Sequence, residues 1–173
     1  MKQNLNVIML GDSLTAKANW KELLVQDNIL NLGVNGDTTK DILNRLNVVI
    51  EIKPKIVFLM AGINDMTYSI GVEDIFTTYQ QILQKLIANN IKVIVELTLY
   101  TTMLALNKKV MLFNQIVVDY CEQNSIEYID LNPSFCNEEN ILKESLTTDG
   151  LHLGQNAYKA WAYKLLQLNY FHT

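Results

Sequence analysis

His152 and His172 are the only histidines in this 173-residue chain. His172 lies one residue from the C-terminus, where chains fray, so imidazole chemistry falls to His152. It stands in Asp149-Gly150-Leu151-His152. An Asp three residues earlier can accept one ring N–H, fix the tautomer and leave the other nitrogen to take a proton from a nucleophile. The same segment could equally be an Asp-Gly turn capping a following helix. A nucleophile is offered at the other end of the chain, in Gly11-Asp12-Ser13-Leu14, directly after the apolar run Val7-Ile8-Met9-Leu10. A short apolar run closed by glycine reads as a buried strand, placing Ser13 on the turn into a helix, either as a reactive hydroxyl or as a helix cap.

Two more polar loops follow apolar runs of the same kind, Gly33-Val34-Asn35-Gly36-Asp37-Thr38-Thr39 after Ile29–Leu32, and Ala61-Gly62-Ile63-Asn64-Asp65 after Ile56–Met60. Acyl transfer needs hydrogen-bond donors aimed at a developing oxyanion, and a glycine backbone N–H and an Asn amide are such donors. Gly36 could instead serve a turn that needs positive φ, and Asn64 an Asx-turn.

With Ser13, Gly36, Asn64 and His152 in this order, the sequence resembles the GDSL or SGNH hydrolases, across Gly11 to Leu153. The resemblance implies that Ser13 is the nucleophile, His152 the base and Asp149 its orienter. It implies an oxyanion hole formed by the N–H groups of Ser13 and Gly36 and the side-chain amide of Asn64. The match is closest to the short branch similar to platelet-activating-factor acetylhydrolase catalytic subunits and bacterial acyl esterases. The expected reaction is hydrolysis of a small-molecule carboxylic ester, with a short acyl group, through an acyl-enzyme and without a cofactor. The run Leu97–Thr102 lacks the prolines that similar proteins often carry after the fourth strand.

Two other readings use the same residues. A metal-dependent phosphoesterase could take Asp12, Asp37, Asp65 and His152 as ligands, and a noncatalytic flavodoxin-like module could cradle a small ligand in these loops. Turn and capping roles suit the three aspartates better. Cys136, after Pro133-Ser134-Phe135, is a conceivable thiol nucleophile in a loop, but Ser13 fits the donor loops better. Cys121 shares a helical stripe with Val110, Phe113, Ile116 and Val117 and reads as a small buried hydrophobe.

The elements that must position these residues alternate. Strands are expected near Val7–Leu10, Ile29–Leu32, Ile56–Met60, Val93–Leu97 and Glu127–Ile129. The clearest helix carries Ile75, Tyr79, Ile82, Leu83, Leu86 and Ile87 on one stripe. Thr38–Asp41 resembles a capping box, Asn89-Asn90 a helix stop, and Ala157, Trp161, Leu165 and Leu168 line the last helix. Such alternation predicts an α/β protein, a flavodoxin-like three-layer α/β/α sandwich on a five-stranded parallel sheet, as a single domain over residues 1–173. The resemblance implies strand order 2-1-3-4-5, with the first and third strands at the switch point.

A net charge of −4, with no basic cluster beyond Lys108-Lys109, argues against a nucleic-acid partner. No Walker or GxGxxG loop suggests a nucleotide, and no membrane-spanning stretch is seen. The N-terminal residues enter the first strand without an apolar leader, so a cytoplasmic location is expected unless a leader has been removed.

Overall fold

The computed structural model describes residues 6–168, 170 and 171. His172 lies outside the described residues. The five strands are β1 (Val7–Gly11), β2 (Ile29–Gly33), β3 (Ile56–Met60), β4 (Lys92–Glu96) and β5 (Glu127–Ile129). They form one all-parallel sheet in the order β2-β1-β3-β4-β5. The helices are α1 (Ser13–Ala16), α2 (Trp20–Leu24), α3 (Thr39–Asn44), α4 (Leu46–Ile52), α5 (Ile63–Thr67), α6 (Val72–Ala88), α7 (Leu104–Gln123), α8 (Asn132–Phe135) and α9 (Gln155–Leu166).

Side chains alternate across a strand, so the sheet buries two separate cores. Ile8 and Leu10 of β1, with Val57, Leu59, Val93 and Val95, pack against α3, α4, α6 and α7. Val7 and Met9, with Phe58, Met60 and Ile94, pack against α1, α2 and α9. The second core is closed by aromatic contacts of Trp161 with Trp20 (5.0 Å, edge-on) and Tyr158 (6.1 Å, stacked). This is the expected three-layer sandwich. Among the described residues, no helix is long and apolar enough to cross a membrane.

The expected elements are present with shifted edges. β1 and β2 extend to Gly11 and Gly33, and β4 begins at Lys92 and ends at Glu96, because neighbouring strands supply ladder partners the periodicity does not encode. The Thr38–Asp41 capping box forms, and Asn89 caps α6 with Asn90 in the left-handed region. Ile87 departs from its expected stripe: at 46% exposure it lies on the rim of α6. Leu168 likewise falls past the end of α9 and is exposed, so it does not extend the Ala157, Trp161 and Leu165 face.

Candidate active site

The ends of three adjacent strands bring the polar loops together. Gly11 of β1 is in register with Gly33 of β2 and with Met60 of β3. Ser13, Gly36 and Asn64 therefore follow neighbouring strand ends at the reversal of strand order, the crevice where open α/β sheets bind ligands.

Ser13 does not cap α1. Asp12 does, its Oδ1 accepting the Leu14 N–H at 2.9 Å. Ser13 is thereby the first helical residue, with an N–H that has no acceptor within the helix and a hydroxyl released from capping. That hydroxyl lies 3.1 Å from His152 Nε2. On the opposite side of the ring, His152 Nδ1 is 2.6 Å from Asp149 Oδ2. A proton on Nδ1 facing the carboxylate leaves Nε2 as an acceptor for the Ser13 hydroxyl.

The His152 loop is built by short-range hydrogen bonds. Asp149 Oδ1 accepts the backbone N–H groups of Leu151 (3.0 Å) and His152 (2.7 Å). Its bonds to the His152 ring and then to these N–H groups hold the carboxyl well below the usual carboxylate range. Thr147 Oγ1 donates to the His152 carbonyl and accepts from the Gly150 N–H. Gly150 sits at φ +88°, and a Cβ there would stand 2.2 Å from Thr102 Oγ1, while its carbonyl accepts the Thr102 N–H at 2.8 Å. Only glycine fits this turn. A longer tie sets the loop against Ser13: Tyr158 of α9 donates its hydroxyl to the Leu14 carbonyl at 2.9 Å. The helix that follows His152 is thus pinned to the helix that begins at Ser13.

Gly36 adopts φ +82° and is exposed, and among the described residues no heavy atom lies within 4 Å of where a Cβ would stand. The Asn64 side chain donates one N–H to the Asp37 carbonyl at 2.9 Å. Its amide carries a second N–H. The Asx-turn is not what Asn64 makes; its side chain reaches the neighbouring loop.

The three aspartates each have a structural task. Asp12 caps α1, Asp37 pairs with Arg45 at 2.6 Å, and Asp65 accepts from the backbone and hydroxyl of Thr39. Burial, reinforced by the nearby charges of Asp65 and Asp37, pushes the Asp12 carboxyl up to about 7. Its Oδ2 is a buried atom without a hydrogen-bond partner among the described residues. Cys136 is not in an open loop: it is the buried cap of α8, and burial pushes its thiol up to about 11. A raised thiol holds little thiolate at neutral pH, which opposes its use as a nucleophile. Cys121 is buried at the expected helical stripe. Reading of the sequence missed Arg45, Thr102 and Tyr158; each acts across a long separation, and no local spacing marks it.

Residues 9–160 match the profile of the GDSL-like lipase/acylhydrolase family. The chain belongs to this family. It is 30% identical over 152 residues to an N-acylneuraminate cytidylyltransferase of Streptococcus agalactiae serotype III (strain NEM316), covering 87% of this chain and 35% of that protein. The chain thus spans about a third of the length of the curated relatives it matches. Among solved structures it is similar to a GDSL-like lipase from Bacteroides thetaiotaomicron VPI-5482 (TM-score 0.87, 21% identity, 96% of this chain and 88% of the other). It is also similar to the acetyl xylan esterase AlAXEase (TM-score 0.79, 23% identity, 93% of this chain and 98% of the other). At these identities the likeness is one of fold.

Proposed function

We propose that the chain is a serine esterase that hydrolyses short-chain acyl esters, acetyl esters foremost, within a single hydrolase domain over residues 1–173. The observation that carries this reading is the contact chain Ser13 Oγ–His152 Nε2–His152 Nδ1–Asp149 Oδ2, at 3.1 and 2.6 Å. The Ser13 oxygen attacks the ester carbonyl carbon while its proton passes to His152 Nε2. The oxyanion so formed accepts hydrogen bonds from the N–H groups of Ser13 and Gly36 and from the Asn64 amide. Collapse expels the alcohol oxygen, which leaves with the proton from Nε2, and Ser13 carries the acyl group. Water then adds to the acyl carbon, its proton passing to Nε2. The second collapse releases the carboxylic acid and returns that proton to Ser13. Asp149 stays ionised throughout, because its hydrogen bonds hold it below the usual range.

The alcohol we assign is a sugar hydroxyl. One structural neighbour is named an acetyl xylan esterase, and the relative at 30% identity is named for an N-acylneuraminate, an acylated sugar. The test is kcat/KM on a panel of p-nitrophenyl acyl esters and acetylated sugars, with Ser13→Ala as the control. Acetyl to butyryl esters are expected to be the best substrates, with acetylated sugars above simple alkyl acetates. A cleft of about 480 Å³ opens between Tyr100, Leu104, Lys108, Met111, Glu139 and Asn140, with neither Ser13 nor His152 on its wall. A kcat/KM that keeps rising from butyrate through decanoate would overturn the short-acyl reading.

A further inference from the structure

The segments that carry Ser13, Gly36 and Asn64 leave three neighbouring strands whose ladder aligns their starts, and side-chain contacts beyond the ladder tie them to one another. Arg45, at the joint between α3 and α4, touches two of them. Its Nε donates to Asp37 Oδ2 at 2.6 Å and its Nη2 to the Gly11 carbonyl at 3.1 Å. The same Gly11 carbonyl accepts the Val34 N–H at 3.1 Å. Asp37 in turn offers its carbonyl to the Asn64 amide at 2.9 Å. One guanidinium thus grips the residue two before Ser13 and the residue after Gly36, and through the Asp37 peptide it sets the Asn64 side chain.

A rigid planar fork is suited to this. Its donors sit at fixed separation, so two acceptors bound to it cannot drift apart, whereas a lysine ammonium reaches one acceptor without fixing the other. The pair is mostly buried, with side-chain exposures of 24% for Arg45 and 11% for Asp37, so water and salt screen it only partly. We infer that Arg45, acting with Asp37, is a positioning residue that sets the spacing of the oxyanion donors Ser13, Gly36 and Asn64. The inference rests on the serine-esterase reading above. Donors held ready for a charge that exists only in the transition state act on kcat rather than on substrate binding.

The experiment measures kcat and KM for p-nitrophenyl acetate hydrolysis, and affinity for a trifluoromethyl ketone whose adduct on Ser13 carries a tetrahedral oxyanion, in Arg45→Ala, Asp37→Ala, the double variant and Arg45→Lys. Residues that orient the ligands of a metal site typically carry about 10–100-fold, and a comparable factor is expected for a residue that orients oxyanion donors. Arg45→Ala is expected to lose about that factor in kcat and in ketone affinity, with KM within about twofold. The double variant is expected to be no worse than the poorer single one, because both break one contact. Arg45→Lys, the gentler change should the alanine variant not fold, is expected to lose at least about fivefold in kcat at unchanged KM. A folded Arg45 variant with wild-type kcat, a loss carried in KM, or multiplicative losses in the double variant would overturn the inference. Full turnover in Ser13→Ala would instead overturn the esterase reading; a dead Ser13→Ala beside an unaffected Arg45→Ala removes only the role of Arg45.

Discussion

Ser13 and His152 meet at 3.1 Å from opposite kinds of surroundings. Ser13 is 5% exposed, on a helix that grows directly out of a strand whose residues are all buried. Its partner comes from a surface loop in which the Asp149 side chain is 53% exposed. Ser13 is placed by packing, His152 by a mesh of local hydrogen bonds and two longer ties, the Thr102 N–H to the Gly150 carbonyl and Tyr158 to Leu14. The two halves should respond differently to substitution. Changes at Ser13 and Asn64 act on an intact frame, whereas changes to the turn and tie around His152 loosen the geometry that aims it.

The largest effect is expected on the rigid side. Ser13→Ala should lower kcat by about 10⁴–10⁶-fold with an unchanged thermal midpoint, because no other group can take over as nucleophile. Asn64→Ala, in the same frame, should cost about 10²–10³-fold in kcat, the usual loss for one oxyanion donor. Steady-state kinetics beside a melting curve checks both, and a large fall in melting point would mean that these residues are structural.

Two glycines sharpen the contrast. Gly150→Ala should lower kcat by about 10²-fold, since the new methyl must displace Thr102 and with it the turn that aims His152, and a shift of about 1 Å costs that much. Gly36→Ala has open space, so its cost is backbone strain alone, about 1 kcal/mol of stability and a smaller loss of turnover. Equal losses at the two positions would contradict the account of the base loop. Tyr158→Phe removes the tether and should cost about 1 kcal/mol in stability, with a loss of turnover smaller than that of Gly150→Ala.

The smallest effect on turnover is expected far from the crevice. Glu96 is fully buried under α9, where burial pushes its carboxyl up to about 8 against the hydrogen bond from Trp161. An acid whose folded value is raised binds its proton more tightly in the native state. Stability from Glu96 is therefore lost as pH rises from the ordinary value of 4.5 through about 8. Glu96→Gln should gain on wild type across that window, by at most about 1.4 kcal/mol per pH unit, with kcat unaltered. Melting curves at pH 5 and 8.5 check this; an equal difference at both would show that Glu96 does not titrate there.

The parts legible in the sequence are those written locally. Ser13, Gly36, Asn64 and His152 each belong to a short polar segment, three of them following an apolar run, although Ser13 and Asn64 fall in the short helices α1 and α5 rather than in loops, and the capping box at Thr38–Asp41 is a four-residue pattern. The alternation of strands and helices fixed the layers, and the family resemblance supplied the strand order. What stayed hidden depends on residues far apart in sequence. Arg45 meets Gly11 across 34 positions, Thr39 meets Asp65 across 26 and Tyr158 meets Leu14 across 144, and no period or motif links such partners. Ile87 and Leu168 were misplaced because a hydrophobic stripe says which residues can be buried but not how far the covering surface extends.

In the proposed mechanism His152, oriented by Asp149, activates Ser13. The most direct measurement is the rate of phosphonylation by a fluorophosphonate probe, with the labelled residue mapped, in wild type, Ser13→Ala, His152→Ala and Asp149→Asn. Stoichiometric labelling is expected at Ser13, none in Ser13→Ala, and rates lower by at least about 10³-fold in His152→Ala and strongly lowered in Asp149→Asn, where the amide favours the wrong tautomer. Labelling at a residue other than Ser13, or wild-type rates in folded His152→Ala, would contradict it.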